Sequence, residues 1–214
     1  MRKTYITGLL AKQLKETGKK LITTKLIQTG CNGISEDIKE HRKLMGIDML
    51  PEDENHETCP FVFNYPASPH LAARLENEII SVEKIRQLLD KLLNKYNIVL
   101  SEGAGGFMVP IHENFLIIDY IKKYKIPMVL VCSSKLGSIN HTLLSLLFCI
   151  SKKLYLHSVI YNQFPDHDKT IAKDTFCFFK KYLNQKFPMT PLIHSENLLN
   201  PNLSSEVQKY LQKF

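Results

Sequence analysis

Neither a C-x-x-C pair nor an H-E-x-x-H run occurs in the 214 residues, so two common short metal-ligand spacings are missing. Ser101, Ser133 and Ser134 stand outside any G-x-S-x-G frame, which removes the usual hydrolase nucleophile. The cysteines Cys31, Cys59, Cys132, Cys149 and Cys177 are odd in number and far apart. Cys132, Cys149 and Cys177 lie in apolar surroundings, as small core residues of a reducing compartment do, and no disulfide framework is implied. No apolar run approaches the ~20 residues that cross a bilayer. The strongest, Leu143 to Ile150, is broken by Ser145, and the basic start Met1-Arg2-Lys3 leads into no signal-peptide core. Lysine and arginine outnumber aspartate and glutamate by 28 to 21, a net charge of +7. That excess comes as scattered pairs such as Lys19-Lys20, Lys122-Lys123, Lys152-Lys153 and Lys180-Lys181, with no arginine block and no interleaved aromatics. Such a surface is solvated and mildly attractive to anionic substrates; it is not a nucleic-acid footprint. These absences leave a cytoplasmic globular protein with neither a membrane nor a nucleic acid as partner.

What is present reads as one α/β domain over residues 1–214, long enough for one substantial core and free of linkers or repeats. Thr4 to Gly8 reads as a first strand running straight into a helix, Leu9 to Lys15, that stops before Gly18. Leu21 to Ile27 is a β-rich run, and Ser35 caps a helix reaching about Met45. Gly46 to Asn64 is a polar excursion, and Ser68-Pro69 opens a short helix to Leu75. Ser81 caps the clearest helix, with Val82, Ile85, Leu88, Leu89, Leu92 and Leu93 at spacings of three and four. A strand ending at Glu102 follows, and helix and strand then alternate: helix 117–124, strand 126–131, helix 137–151, strand 155–161, helix 166–183, a strand near Leu192 and a last helix 204–213. The alternation predicts a three-layer α/β/α fold around a mostly parallel sheet.

In such a sheet, ligands gather at the carboxyl ends of the strands. The polar residues there are few: Lys25 with Thr29, Asp37, Glu102 with Gly103, Gly105 and Gly106, the segment Ser133 to Gly137, and Asn162. Asp37 and Glu102 are hard oxygen donors suited to magnesium, which one or two carboxylates hold together with substrate phosphates. Asp37 equally suits the positive end of a helix dipole, and Glu102 an ordinary loop. Lys25 either snorkels to water from a strand end or supplies a cation to an anionic intermediate. The glycines after Glu102 form a tight turn or let backbone N–H groups approach an anion. The helix start near Gly137 suits a carboxylate or phosphate. The Asn162 carboxamide suits the edge of a purine base or a turn cap.

Taken in order, Lys25-Leu26-Ile27-Gln28-Thr29-Gly30, Glu36-Asp37, Ser68-Pro69-His70, Glu102-Gly103-Ala104-Gly105-Gly106, Lys135-Leu136-Gly137-Ser138-Ile139-Asn140-His141 and Asn162 resemble the dethiobiotin synthase family over nearly the whole chain. The resemblance implies a homodimeric, P-loop-type ligase. Such an enzyme closes the ureido ring of dethiobiotin, in biotin biosynthesis, from 7,8-diaminononanoate, CO2 and ATP with Mg2+. It implies Mg2+ on Asp37 and Glu102, and Lys25 as the catalytic cation beside the carbamate and its phosphorylated form. It also implies Thr29 on the diamine or carbamate, Gly103, Gly105 and Gly106 beside the reacting groups, and Gly137, Ser138, Ile139 and Asn140 on the substrate carboxylate across the dimer. Asn162 would read adenine.

The family's phosphate loop, G-x-x-x-x-G-K-S/T, follows its first strand, whereas here Gly8 is followed by the helical pattern Leu9-Leu10-Ala11-Lys12. About a dozen residues are therefore expected to be missing between Gly8 and Leu9, and with them the amide cradle, the phosphate-reaching lysine and the Mg2+-binding hydroxyl. On this basis the chain as written is expected to use ATP poorly. The alternatives are a non-catalytic, diamine-binding homodimeric scaffold, and a related P-loop ligase or amidotransferase partner. The second would need its own phosphate loop and a glutaminase cysteine.

Overall fold

Ile6, Leu9, Leu10 and Leu14 are all buried and recur at spacings of three and four, so the chain opens as an unbroken helix α1 (Lys3–Glu16). This corrects the expected strand at Thr4 to Gly8: the β-branched and aromatic run Thr4-Tyr5-Ile6-Thr7 is short, and the helical period of the buried residues overrides it. Gly8 sits in mid-helix because Leu44 packs against it. A Cβ built there would lie 2.6 Å from Leu44 Cδ1 and 2.8 Å from its Cβ. The expected gap between Gly8 and Leu9 therefore has no junction to occupy. In a strand–loop–helix phosphate site the lysine and hydroxyl residues open the helix, and the pair that opens α1 is Lys3-Thr4.

The computed structural model describes residues 3–164, 168–199 and 209–214, in two compact units: Thr7–Tyr120, and Met1–Ile6 together with Ile121–Phe214. In Thr7–Tyr120, β1 (Leu21–Lys25) is buried along its whole length. It stops at Lys25, short of the expected Ile27, and β2 (Gln28–Thr29) follows. Helix α2 (Glu36–Met45) starts where Ser35 Oγ accepts from Ile38 N, and it ends at Gly46, whose φ is 64°. The excursion from Gly46 to Asn64 carries a short helix α3 (Pro51–Glu54) and the strand β3 (Val62–Phe63), which pairs in parallel with β2. Helix α4 (Pro69–Leu75) leads to α5 (Val82–Leu93), capped by Ser81, with Val82, Ile85, Leu89 and Leu92 buried and Leu93 exposed.

Strand β4 (Ile98–Glu102) lies parallel to β1 in the register Leu21↔Ile98 through Lys25↔Glu102. The antiparallel pair β5 (Pro110–His112) and β6 (Phe115–Leu116) precedes α6 (Ile117–Lys123).

The other unit carries β7 (Met128–Ser133), α7 (Ser138–Lys152), β8 (Leu156–Asn162), α8 (Lys169–Lys186) and β9 (Leu192–His194), with a 3-10 turn at Ser195–Leu198. Its three strands run in parallel in the order β7-β8-β9. Tyr161 anchors its core: the hydroxyl donates to Ala172 O at 2.7 Å, and the rings of Phe176, Phe179 and His194 surround it. Cys132 and Cys149 are buried as expected, with burial pushing their thiols up to about 12 and about 11. Cys177 is exposed, because the buried stripe of α8 runs through Ala172, Thr175, Phe179 and Leu183 and leaves it on the outer face. Positions 166–167 of the expected helix and positions 204–208 of the expected last helix lie outside the described residues.

The strands are mostly parallel and the fold is mixed α/β. No helix among the described residues is long and apolar enough to cross a membrane.

Candidate active site

The last residues of β1 and β4 are partners in register, so Lys25 and Glu102 emerge side by side at the carboxyl ends of two parallel strands. Lys25 Nζ donates to Glu102 Oε1 at 3.1 Å and to Gly103 O at 3.4 Å. It also pairs directly with Asp37. Lys25 is 5% and Glu102 4% exposed, so neither charge would stand alone there. Burial pushes the Lys25 ammonium down, but the carboxylates of Glu102 and Asp37 outweigh it and hold it above its ordinary value. For Glu102, burial pushes up; the hydrogen bond from His41 and the charge of Lys25 prevail and hold its carboxyl at about 2.

Helix α2 delivers Asp37 in its first turn, so the dipole and the ion pair with Lys25 act on one carboxylate. One turn later on the same face is His41, fully buried, with Nε2 3.0 Å from Glu102 Oε2 and Nδ1 3.1 Å from Thr23 Oγ1. Thr23 Oγ1 also accepts from Arg42 Nη1 at 2.7 Å. Arg42 grips Asp53 with two parallel bonds, Nε to Oδ2 at 2.8 Å and Nη2 to Oδ1 at 2.7 Å. Asp53 further accepts from Leu50 N and Thr58 Oγ1. Burial alone would push the Asp53 carboxyl up, but Arg42 and these donors hold it down.

Lys25, Asp37 and Glu102 are thus brought together. Sequence reasoning missed His41, Thr23, Arg42 and Asp53. The available signal was the Asp37-x-x-x-His41 spacing, together with two polar residues, His41 and Arg42, between Ile38 and Met45 on the inner stripe of α2.

Thr29 is half-buried on β2, opposite Phe63. The turn after Glu102 needs glycine at 105, where φ is 72° and a Cβ would meet Val109 Cγ2 at 2.7 Å. Gly103 is half-buried and Gly106 is exposed with open space around it.

In the other unit, Gly137 caps α7 with φ 87°, and Ser138 is buried with its hydroxyl on Ser133 O. Ile139 is half-buried and Asn140 exposed. Asn162, 1% exposed, turns its carboxamide onto its own loop, accepting from Phe164 N at 3.0 Å and donating to Phe164 O at 3.3 Å. This is the turn cap among the alternatives; reading a base edge requires exchanging those bonds.

One nitrogen of Lys25 contacts both Asp37 and Glu102, so a single cation can reach both carboxylates. Among the described residues, no cluster of three or more His, Cys, Asp or Glu is placed to hold a metal by itself. A cation on Asp37 and Glu102 would therefore complete its shell with water and substrate oxygens, and that demand suits magnesium. The donor set fits.

Mostly parallel strands, two of them ending in a buried lysine and a buried carboxylate, make this a P-loop NTPase-like α/β protein, and an AAA domain family matches residues 3–192. The chain is 49% identical over 191 residues to the ATP-dependent dethiobiotin synthetase BioD 2 of Haemophilus ducreyi, covering 89% of this chain and 90% of that protein. It is 49% identical over 188 residues to that of Pasteurella multocida, covering 88% of each chain. To the dethiobiotin synthetase BioD of Chlorobaculum tepidum it is 48% identical over 173 residues, 81% of this chain and 72% of that one. The chain belongs to the ATP-dependent dethiobiotin synthetase family.

Proposed function

We propose that this protein acts, as one domain over its 214 residues, as an ATP-dependent dethiobiotin synthetase: a ligase of biotin biosynthesis that closes a ureido ring on 7,8-diaminononanoate with CO2 and ATP. The observation that carries this reading is the buried ammonium of Lys25 held between Asp37 and Glu102 at the strand ends. One substrate amine adds to CO2 and loses a proton, giving a carbamate. The carbamate oxygen attacks the γ-phosphorus of ATP and ADP leaves. The second amine then attacks the carbonyl of the carbamic–phosphoric anhydride, expelling phosphate and closing the ring.

Each intermediate is anionic beside Lys25, whose depth strengthens its field and whose pairing fixes its position before substrate arrives. Little covalent work falls to the protein; positioning and charge compensation dominate. Asp37 and Glu102 would hold Mg2+, which when bound neutralises phosphate charge. Thr29 is assigned to the diamine or carbamate, and Gly103, Gly105 and Gly106 to the reacting groups. Gly137, Ser138, Ile139 and Asn140 are assigned to the substrate carboxylate across a homodimer, and Asn162 to adenine once its bonds to Phe164 are exchanged. Support for the homodimer comes from α7, whose outer face leaves Leu144, Leu147 and Ile150 half exposed or more. The protein is assigned to the cytoplasm.

A second reading is a non-catalytic homodimeric scaffold that binds the diamine; the 214 residues contain no G-x-x-x-x-G-K-S/T, and Lys3-Thr4 open α1. The test is dethiobiotin formation by these 214 residues and by a form carrying a strand and phosphate loop ahead of Lys3. Weak turnover in the first and robust turnover in the second is expected. Diamine binding with no turnover in either form selects the scaffold.

A further inference from the structure

Four side chains lead from the interior to Glu102: Asp53, Arg42, Thr23 and His41, each at most 1% exposed. Burying such a set is costly unless every member is satisfied, and an apolar quartet would pack the same space without that cost. Here each link is made, and only one assignment of donors and acceptors leaves no proton of the chain without an acceptor. Arg42 has no acceptor, so Thr23 Oγ1 accepts from it. The threonine keeps one proton, and among the described residues the remaining partner of its hydroxyl is His41 Nδ1. Nδ1 therefore accepts, Nε2 carries the imidazole hydrogen, and Nε2–H donates to Glu102 Oε2. Asp53, bound by Arg42, Thr58 and Leu50, anchors the far end.

We infer that His41 is a positioning residue: fixed as its Nε2–H tautomer by Thr23, Arg42 and Asp53, it holds Glu102 by Oε2 so that Oε1 faces Lys25 and the cation that Asp37 and Glu102 would share. This rests on the cation reading given above. Outer partners that orient a metal-binding carboxylate or imidazole set metal affinity by about 10–100-fold. Asp37 and His41 sit one helical turn apart, so α2 contributes one group to the cation site directly and one through Glu102.

The test has two parts. In the wild-type chain, a long-range proton–nitrogen spectrum of the imidazoles shows His41, assigned by its loss in His41→Gln, as a single Nε2–H tautomer. Thr23→Val turns it into an average of tautomers. An Nδ1–H ring or a wild-type average overturns the inference. Second, Mn2+ titrations compare His41→Leu, His41→Gln, Thr23→Val and Glu102→Gln. His41→Leu weakens Mn2+ by about 10–100-fold, whereas His41→Gln, which keeps an N–H donor, stays within about threefold. If Glu102→Gln weakens Mn2+ and His41→Leu does not, the positioning role is lost while the cation site stands. If Glu102→Gln has no effect, the cation reading itself fails and His41's role falls with it. Should His41→Leu not fold, Thr23→Val decides by the same comparison.

Discussion

Asp37 and His41 stand four residues apart on one face of α2 and close on a single ion pair from two sides, Asp37 on Lys25 and His41 on Glu102. The placement of the helix and the geometry of the site are therefore one property. Ser35, which caps α2 and donates its hydroxyl hydrogen to Gln28 Oε1 at 2.8 Å, ties the start of the helix to the strand segment after Lys25.

Lys25→Met removes the cation and keeps most of the side-chain volume. In the form carrying a phosphate loop, turnover at saturating substrates is expected to fall by about 10²–10³-fold. A rate within threefold of the parent would remove Lys25 from the chemistry.

Acid is expected to unfold the protein partly through Glu102. Its carboxyl lies at about 2 in the folded chain, against about 4.3 in an unfolded one. The stability this supplies is complete above about pH 5, is lost as the pH falls toward 2, and amounts to roughly 3 kcal/mol. Lys25 works in the opposite sense: its raised value gives stability that is complete below about pH 10 and lost as pH climbs through the folded value. Urea midpoints measured from neutral pH to acid should fall steeply in the parent and less steeply in Glu102→Gln. Parallel curves would show that Glu102 is not depressed.

Asp53→Asn leaves the buried guanidinium of Arg42 without its counter-charge, and breaking a buried pair in this way costs about 3–5 kcal/mol. Denaturant titration should show a large drop in midpoint at unchanged slope. A shift under about 1 kcal/mol would mean that the pair is solvated.

Gly8→Ala tests the first helix. On an open helix this change stabilises by about 0.5–1 kcal/mol. Here the new methyl would meet Leu44 Cβ at 2.8 Å, so a net loss of about 1–2 kcal/mol is expected. A gain in thermal midpoint would place Gly8 away from Leu44.

Much was written locally. Ser35 and Ser81 announce their helices because a capping hydroxyl needs only the amide three residues on, and both bonds form. The strand ending at Glu102 is legible because its apolar run stops abruptly at a carboxylate and glycines. Thr4 to Gly8 misleads because its β-branched residues favour extended chain and its glycine disfavours helix, while the force that winds it into helix is the burial of Ile6, Leu9 and Leu10 and the approach of Leu44. Asn162 offers base reading and turn capping alike; the structure engages it with Phe164.

By itself the sequence determined the mixed α/β class, the family, and the candidates Lys25 and Glu102 at strand ends and Asp37 at a helix start, since periodicity, capping and ordered motifs are properties of neighbours along the chain. Only the tertiary structure decided that one ammonium bridges Asp37 and Glu102, and that Thr23, His41, Arg42 and Asp53 join behind them. Hydrogen-bond partners 18 or 61 residues apart leave no local pattern; they meet because β4 pairs in register with β1 and α2 packs against β1.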